Sequence, residues 1–172
     1  MNNLGPGLAG IGENLVASTR QRFASATAPD GTPWAPNTEV TLMEYMRNKS
    51  GIFATFTNLA TRKEGKVRIG DKNGYYRKDG KLGKKGIDAM MGKRPLTGET
   101  GALSEQIHYR VTGNRLVVGS SMEYAAMHQF GGSRSDFPNL WGDIPARPFL
   151  GISGDDKKQI EVTVSEYLGL LR

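Results

Sequence analysis

From Leu4 onward the apolar residues fall at Leu4, Leu8, Ile11, Leu15 and Phe23, three or four apart except for one gap filled by Ser18 and Thr19. That spacing is one face of a helix, although Gly5, Pro6 and Gly7 blur its start. The pattern breaks at residues 28–36, where Pro29, Pro33 and Pro36 flank an Asp30-Gly31 pair and a single large aromatic, Trp34. Prolines and Asp-Gly force turns, and Trp34 is expected to anchor the loop to the core. Residues 39–60 carry a mixed pattern with room for a short helix around 40–47. Clean alternation arrives at Ile107, Tyr109 and Val111, and Leu116, Val117 and Val118 follow a Thr112-Gly113-Asn114-Arg115 turn, which together predict a β-hairpin.

Residues 123–130 suit a short helix that Gly131-Gly132 stops. A loop through Asp136, Pro138, Trp141 and Asp143 follows. Residues 144–150, Ile-Pro-Ala-Arg-Pro-Phe-Leu, hold too much proline for a central strand and should run extended along an edge or surface. The last helix begins at Ser153-Gly154-Asp155-Asp156, whose acids suit a helix start, and continues through Ile160, Val164, Tyr167, Leu168 and Leu171. The sum is an α+β fold, a small antiparallel sheet packed against N-terminal and C-terminal helices, with no internal repeat.

Length and charge refine this picture. With 172 residues the chain fits a single domain, 1–172, large enough to bury a core without staples. It has no cysteine, so it has no disulfide framework, thiolate metal site or cysteine nucleophile, and a reducing cytoplasm is the expected compartment. No apolar run reaches the length of a membrane span, and residues 1–10 lack the form of a signal peptide. The net charge is +6, unevenly placed. Residues 62–94 hold twelve basic residues against four acids, so this stretch carries +8 and the remainder −2. Seven glycines in the same stretch favour turns over packed structure. It reads as a long basic Gly-rich loop or extended hairpin, the basic part of an insert spanning 39–94.

The usual catalytic patterns fail on inspection. Residues 5–10 match G-x-G-x-x-G, but only four residues precede them, too few for the buried strand that a dinucleotide loop must follow. The two histidines, His108 and His128, lie 20 apart on different elements, which is no metal-ligand spacing. No G-x-S-x-G elbow occurs. Asp155-Asp156 is explained by the helix dipole, and the Asn48-Lys49-Ser50 sequon has no use in a cytoplasmic chain. The expectation is therefore no enzyme, no catalytic residue, no metal and no cofactor. In the basic stretch, Tyr75 and Tyr76 among lysines and arginines fit a solvated loop, an acidic protein neighbour or DNA.

Several separated motifs carry a resemblance. They are Pro29-Asp30-Gly31-Thr32-Pro33-Trp34; a Leu96-Thr97-Gly98 run leading through Gly101, Leu103 and Ser104 to Ile107; Val118-Gly119-Ser120 followed by Tyr124-Ala125-Ala126-Met127-His128-Gln129-Phe130-Gly131-Gly132; and Ile144-Pro145-Ala146-Arg147-Pro148-Phe149-Leu150-Gly151. Together they resemble the phage virion morphogenesis or tail completion family of Mu-like and related long-tailed phages. The likeness is loose over residues 1–36 and good over 96–172, and no motif can be quoted for 39–94.

The resemblance implies a structural protein of the virion neck, assembled in the host bacterial cytoplasm: a tail terminator-type ring subunit, expected as a hexamer, that joins the tail tube to the head connector. Its partners would be other copies of itself and the tube and connector proteins, with no membrane and no small-molecule ligand. A closed ring needs two unlike patches that meet head to tail. Candidates are Tyr124, Gln129 and Phe130, and Arg147 with Phe149 on an extended edge, although the same aromatics would equally fill the subunit's own core. Six copies would place +48 around one axis. Arg77, Lys78, Lys81, Lys84 and Lys85 would then form a docking loop for an acidic neighbouring face, with transient contact with DNA in the channel as the other reading. A free DNA-binding accessory protein, or an assembly factor absent from the particle, remains the alternative.

Overall fold

The computed structural model describes residues 4–50, 53–58, 63–68, 71, 73–77, 81–98, 100–138 and 143–169. In chain order the elements are α1 (Gly5–Ser25), α2 (Glu39–Ser50), β1 (Phe53–Asn58), β2 (Lys63–Arg68), α3 (Lys84–Met91), α4 (Ala102–Glu105), β3 (Ile107–Thr112), β4 (Arg115–Ser120), α5 (Ala125–Phe130) and α6 (Gly154–Tyr167). The fold is α+β. It divides into two compact units, one formed by Met1–Ala35 with Pro95–Arg172 and the other by Pro36–Arg94. Among the described residues no helix is long and apolar enough to cross a membrane.

In the first unit α1 is the central support, packing on the β3–β4 hairpin and on α6. Two glycines let these neighbours approach. A Cβ on Gly12 would stand 2.5 Å from the Tyr109 ring, and one on Gly7 would stand 3.2 Å from the Tyr167 ring. The hairpin pairs Ile107 with Ser120 through Thr112 with Arg115, leaving a two-residue turn. Gly113 holds φ +57 at the first central position of that turn, where a β-branched or bulky residue would be strained. α6 starts with a capping box: Ser153 Oγ accepts from Asp156 N at 3.1 Å, and Asp156 Oδ2 accepts from Ser153 N at 2.8 Å.

The core gathers Phe23, Ala28, Trp34, Leu103, Ile107, Ala125 and Phe149. Phe23 meets Trp34 edge to face and lies beside Phe149, with both ring centroids 5.3 Å away. Residues 26–34 form the expected turn as a small loop closed on itself. Ala28 N donates to Thr32 O, Trp34 N donates to Ala26 O, and Asp30 Oδ1 accepts from Thr32 N across Gly31.

The second unit differs from the sequence expectation. The hairpin in this region is β1–β2, pairing Phe53 with Arg68 through Asn58 with Lys63, so it starts ahead of the basic stretch. The basic stretch is not one Gly-rich loop, because α3 occupies Lys84–Met91. The physical reason is Gly86, which counted as a turn former in the sequence. Here it sits inside the helix because a Cβ would lie 2.4 Å from the Tyr75 carbonyl oxygen. A Tyr76–Leu82 bridge, with Arg77 N donating to Lys81 O and Gly83 N to Tyr75 O, lays the preceding chain against the helix start. α3 packs on α2, which runs longer than the 40–47 expected.

Candidate assembly surfaces

The two most distinctive motifs meet in the folded first unit. Residues 144–150 run extended beside α5: Gly132 and Ile144 exchange backbone hydrogen bonds, and Arg147 N donates to His128 O at 2.8 Å. Gly131, at φ +75, is where the chain turns, and a Cβ there would press 2.8 Å from Ala146 N. Gln129 completes the clasp with its side chain. Its Oε1 accepts from Phe149 N at 3.0 Å and Leu150 N at 2.9 Å, while its Nε2 donates to Leu150 O at 3.0 Å. A side-chain amide thus replaces the missing strand partner of a proline-rich segment, satisfying backbone groups that would otherwise be orphaned.

This clasp relocates three of the residues expected at a subunit interface. Phe149 is 0% exposed and fills the core. Arg147 is 7% exposed, and its Nε donates to Ala35 O at 2.8 Å. Burial lowers its guanidinium pKa from the usual value. Gln129 is occupied as described. The sequence pattern could not separate an edge from a core here, because prolines mark an extended segment without saying what covers it. Trp34 is buried as an anchor, its indole Nε1 donating to Pro148 O at 2.8 Å.

Tyr124 and Phe130 remain on the surface, 43% and 79% exposed. Tyr124 stacks edge to face on His128, whose Nδ1 is buried without a hydrogen-bond partner. Burial, and secondarily the Arg147 charge, lower the His128 pKa below its ordinary 6.5. His108, by contrast, is exposed and meets Gln106 Oε1 at 3.0 Å. Among the described residues no group of three His, Asp or Glu could hold a metal.

Sequence reading missed the pair that ties α1 to α6. Arg22, on α1, is buried and donates through Nη1 to Phe149 O at 3.0 Å and Gly151 O at 2.9 Å, and through Nη2 to Ser18 Oγ and Asp156 Oδ2. Burial raises the Asp156 pKa, but hydrogen bonds from Ser18 and Ser153 and the Arg22 charge outweigh it, so the carboxyl lies below 3.8. The available signal was the break in the apolar stripe: Ser18, Thr19 and Arg22 are polar at positions that point inward.

Two further surfaces stand out. Between α1 and α6 lies an open apolar groove of about 210 Å³, lined by Leu4, Gly7, Leu8, Ile11, Thr163, Val164, Tyr167 and Leu168. In the second unit Arg77, Lys81, Lys84 and Lys85 are exposed, as are Ile87 and Met91 on α3. Lys85 Nζ donates to Asn73 O at 2.8 Å and stands 5.7 Å from the Tyr75 ring centre. Lys78 lies outside the described residues, as do Trp141 and Leu171.

The sequence matches the phage virion morphogenesis family over residues 1–73 and 73–169. It is 36% identical over 73 residues to Mu-like prophage FluMu G protein 2 of Haemophilus influenzae, covering 42% of this chain and 51% of that protein. It is 28% identical over 163 residues to tail completion protein S of Escherichia phage P2, covering 93% of this chain and 81% of that protein. The likeness therefore runs through residues 39–94, where no motif could be quoted. No solved structure matches.

Proposed function

The chain belongs to the phage virion morphogenesis family, and from that premise we propose that it completes the phage tail as a structural ring subunit, joining the tail tube to the head connector at the virion neck. The observation that carries this reading is the likeness to tail completion protein S, which extends over 93% of the chain. The surface agrees with a building block. Phe130 is 79% and Met91 78% exposed, which leaves both available to a partner surface. The ring is hexameric, and the role is structural rather than catalytic.

Within the assembly the basic residues Arg77, Lys81, Lys84 and Lys85 dock on an acidic protein face. Lasting attachment to DNA would oppose its passage through the neck. Charge reversal at Lys81, Lys84 and Lys85 should leave the subunit folded while blocking the joining of heads to tails. Electron microscopy of lysates reads this directly: separate filled heads and finished tails support the docking role, and normally joined, infective particles sink it. A DNA-binding accessory protein predicts instead that the purified chain binds duplex with an affinity falling steeply as salt rises. An assembly factor predicts its absence from purified virions, which mass spectrometry decides.

A further inference from the structure

The β3–β4 hairpin lays one face on α1 and turns the other to solvent. A Cβ on Gly12 of α1 would stand 2.5 Å from the Tyr109 ring and 3.0 Å from Leu116, which fixes the inner face. Side chains alternate across a strand, so His108, Arg110 and Thr112 of β3 and Arg115 and Val117 of β4 share the outer face, and all five are exposed. Neither strand contains an acid. The nearest acids along the chain, Glu105 and Glu123, lie in sequence beyond the open end of the ribbon, where Ile107 pairs with Ser120 and where Arg20 of α1 reaches Glu105 O. Glu13 is on the inner side, accepting from Tyr109 Oη. Arg110 pairs with Val117 and Arg115 with Thr112, so the two arginines are diagonal neighbours about 7–8 Å apart. Among the described residues neither has a hydrogen bond or an ion pair. Two like charges at that separation repel, and an anion lying across both offsets the repulsion.

The composition of the face selects the anion. Val117, 54% exposed, is the one apolar side chain of the five, so the face offers no core for a protein interface, whose centre is apolar and depleted in charge. Phosphodiesters ask for guanidinium forks, which bind phosphate oxygens in pairs, with short hydroxyl and amide side chains beside them. Thr112 and Asn114, both exposed, supply these. We propose that this face contacts the sugar–phosphate backbone of duplex DNA through Arg110 and Arg115. It rests on the neck reading, in which DNA passes the subunit, and names the surface that the DNA meets. Two charges per copy make a weak contact that ignores base sequence and lets the duplex slide. With two phosphates neutralised, it contributes about −1.8 to the slope of log affinity against log salt.

Fluorescence anisotropy of a labelled duplex, titrated with the full-length chain across a salt series, tests this. The wild-type chain should bind duplexes of different sequence equally. Arg110→Gln and Arg115→Gln should each reduce the salt slope by about 1, and together they should lower affinity at low salt roughly tenfold or more. Arg110→Lys with Arg115→Lys keeps both charges and should keep the slope. Both positions are exposed, so folding is preserved, as circular dichroism checks. Affinity and slope unchanged in the double glutamine variant overturn the assignment, as does a wild-type chain that leaves the duplex free at low salt. Binding lost on Lys81→Glu with Lys84→Glu but untouched by the glutamine pair moves the DNA contact to the basic insert and overturns it too. Negative stain scores the ring reading separately. Rings from a chain whose glutamine variant keeps full duplex affinity remove the hairpin contact alone, whereas DNA binding through Arg110 and Arg115 by a chain that forms no ring even on assembled tails removes the ring reading and leaves this contact standing.

Discussion

At the scale of single residues, the chain spends its unusual side chains on holding itself together. Arg22 satisfies four acceptors at once and carries its charge into the interior only because Asp156 is there to meet it. Replacing Arg22 by Met leaves Asp156 buried without its cation, and urea unfolding should show a loss of roughly 3–5 kcal/mol. The same pair sets an acid limit. Because the folded pKa of Asp156 is depressed, its contribution is fully present above 3.8 and is lost as pH falls through the lower folded value. His128 acts in a higher window. Its folded pKa is also depressed, so stability falls as pH drops below 6.5, where the unfolded chain takes up a proton that the buried ring resists. His128→Gln should flatten melting temperature against pH just below 6.5 while leaving the steeper acid loss in place; an unchanged slope would remove His128 as its source.

At the scale of elements, close approach matters more than propensity. A glycine inside α1 costs helix stability, yet Gly12 is where the β3–β4 hairpin lies on α1. Gly12→Ala improves helix propensity but drives a methyl into the Tyr109 ring near its root, so the net effect should be destabilising by about 1–3 kcal/mol, read as a lowered melting temperature. The hairpin, the α5 stop at Gly131 and the start of α6 were legible in the sequence, because each depends on turn or helix-end chemistry acting within a few residues. α3 was not. Its Lys-Lys-Gly start reads as a turn until Tyr75 is known to lie against Gly86. The clasp between α5 and residues 144–150 was equally hidden, since Gln129 does the work of a strand from 20 positions away along the chain.

At the scale of the whole molecule, charge is sorted by unit. Residues 36–94 contain fourteen basic and six acidic side chains, net +8, and the first unit balances them with −2. Contacts built on such opposed charges weaken with salt, so oligomers formed at low ionic strength should dissociate progressively above about 0.3 M salt, where screening shortens to a few ångströms. Light scattering across a salt series checks this. Salt-independent oligomers would place the subunit contact on Tyr124 and Phe130 instead, the two interface candidates that stay exposed.

The sequence by itself determined the α+β class, the positions of the end helices and the β3–β4 hairpin, the seat of the basic charge and the phage family. These follow from local periodicity, turn chemistry and composition, which are properties of neighbouring residues. Tertiary structure alone decided which motif residues are available to partners. Phe149 and Arg147 go inside, Gln129 is half-buried with its amide spent on the clasp, and Tyr124 and Phe130 stay out, because burial depends on what the rest of the chain brings against a residue. It also decided that the polar break in the first helix is one end of a buried ion pair, whose other end lies 134 residues away.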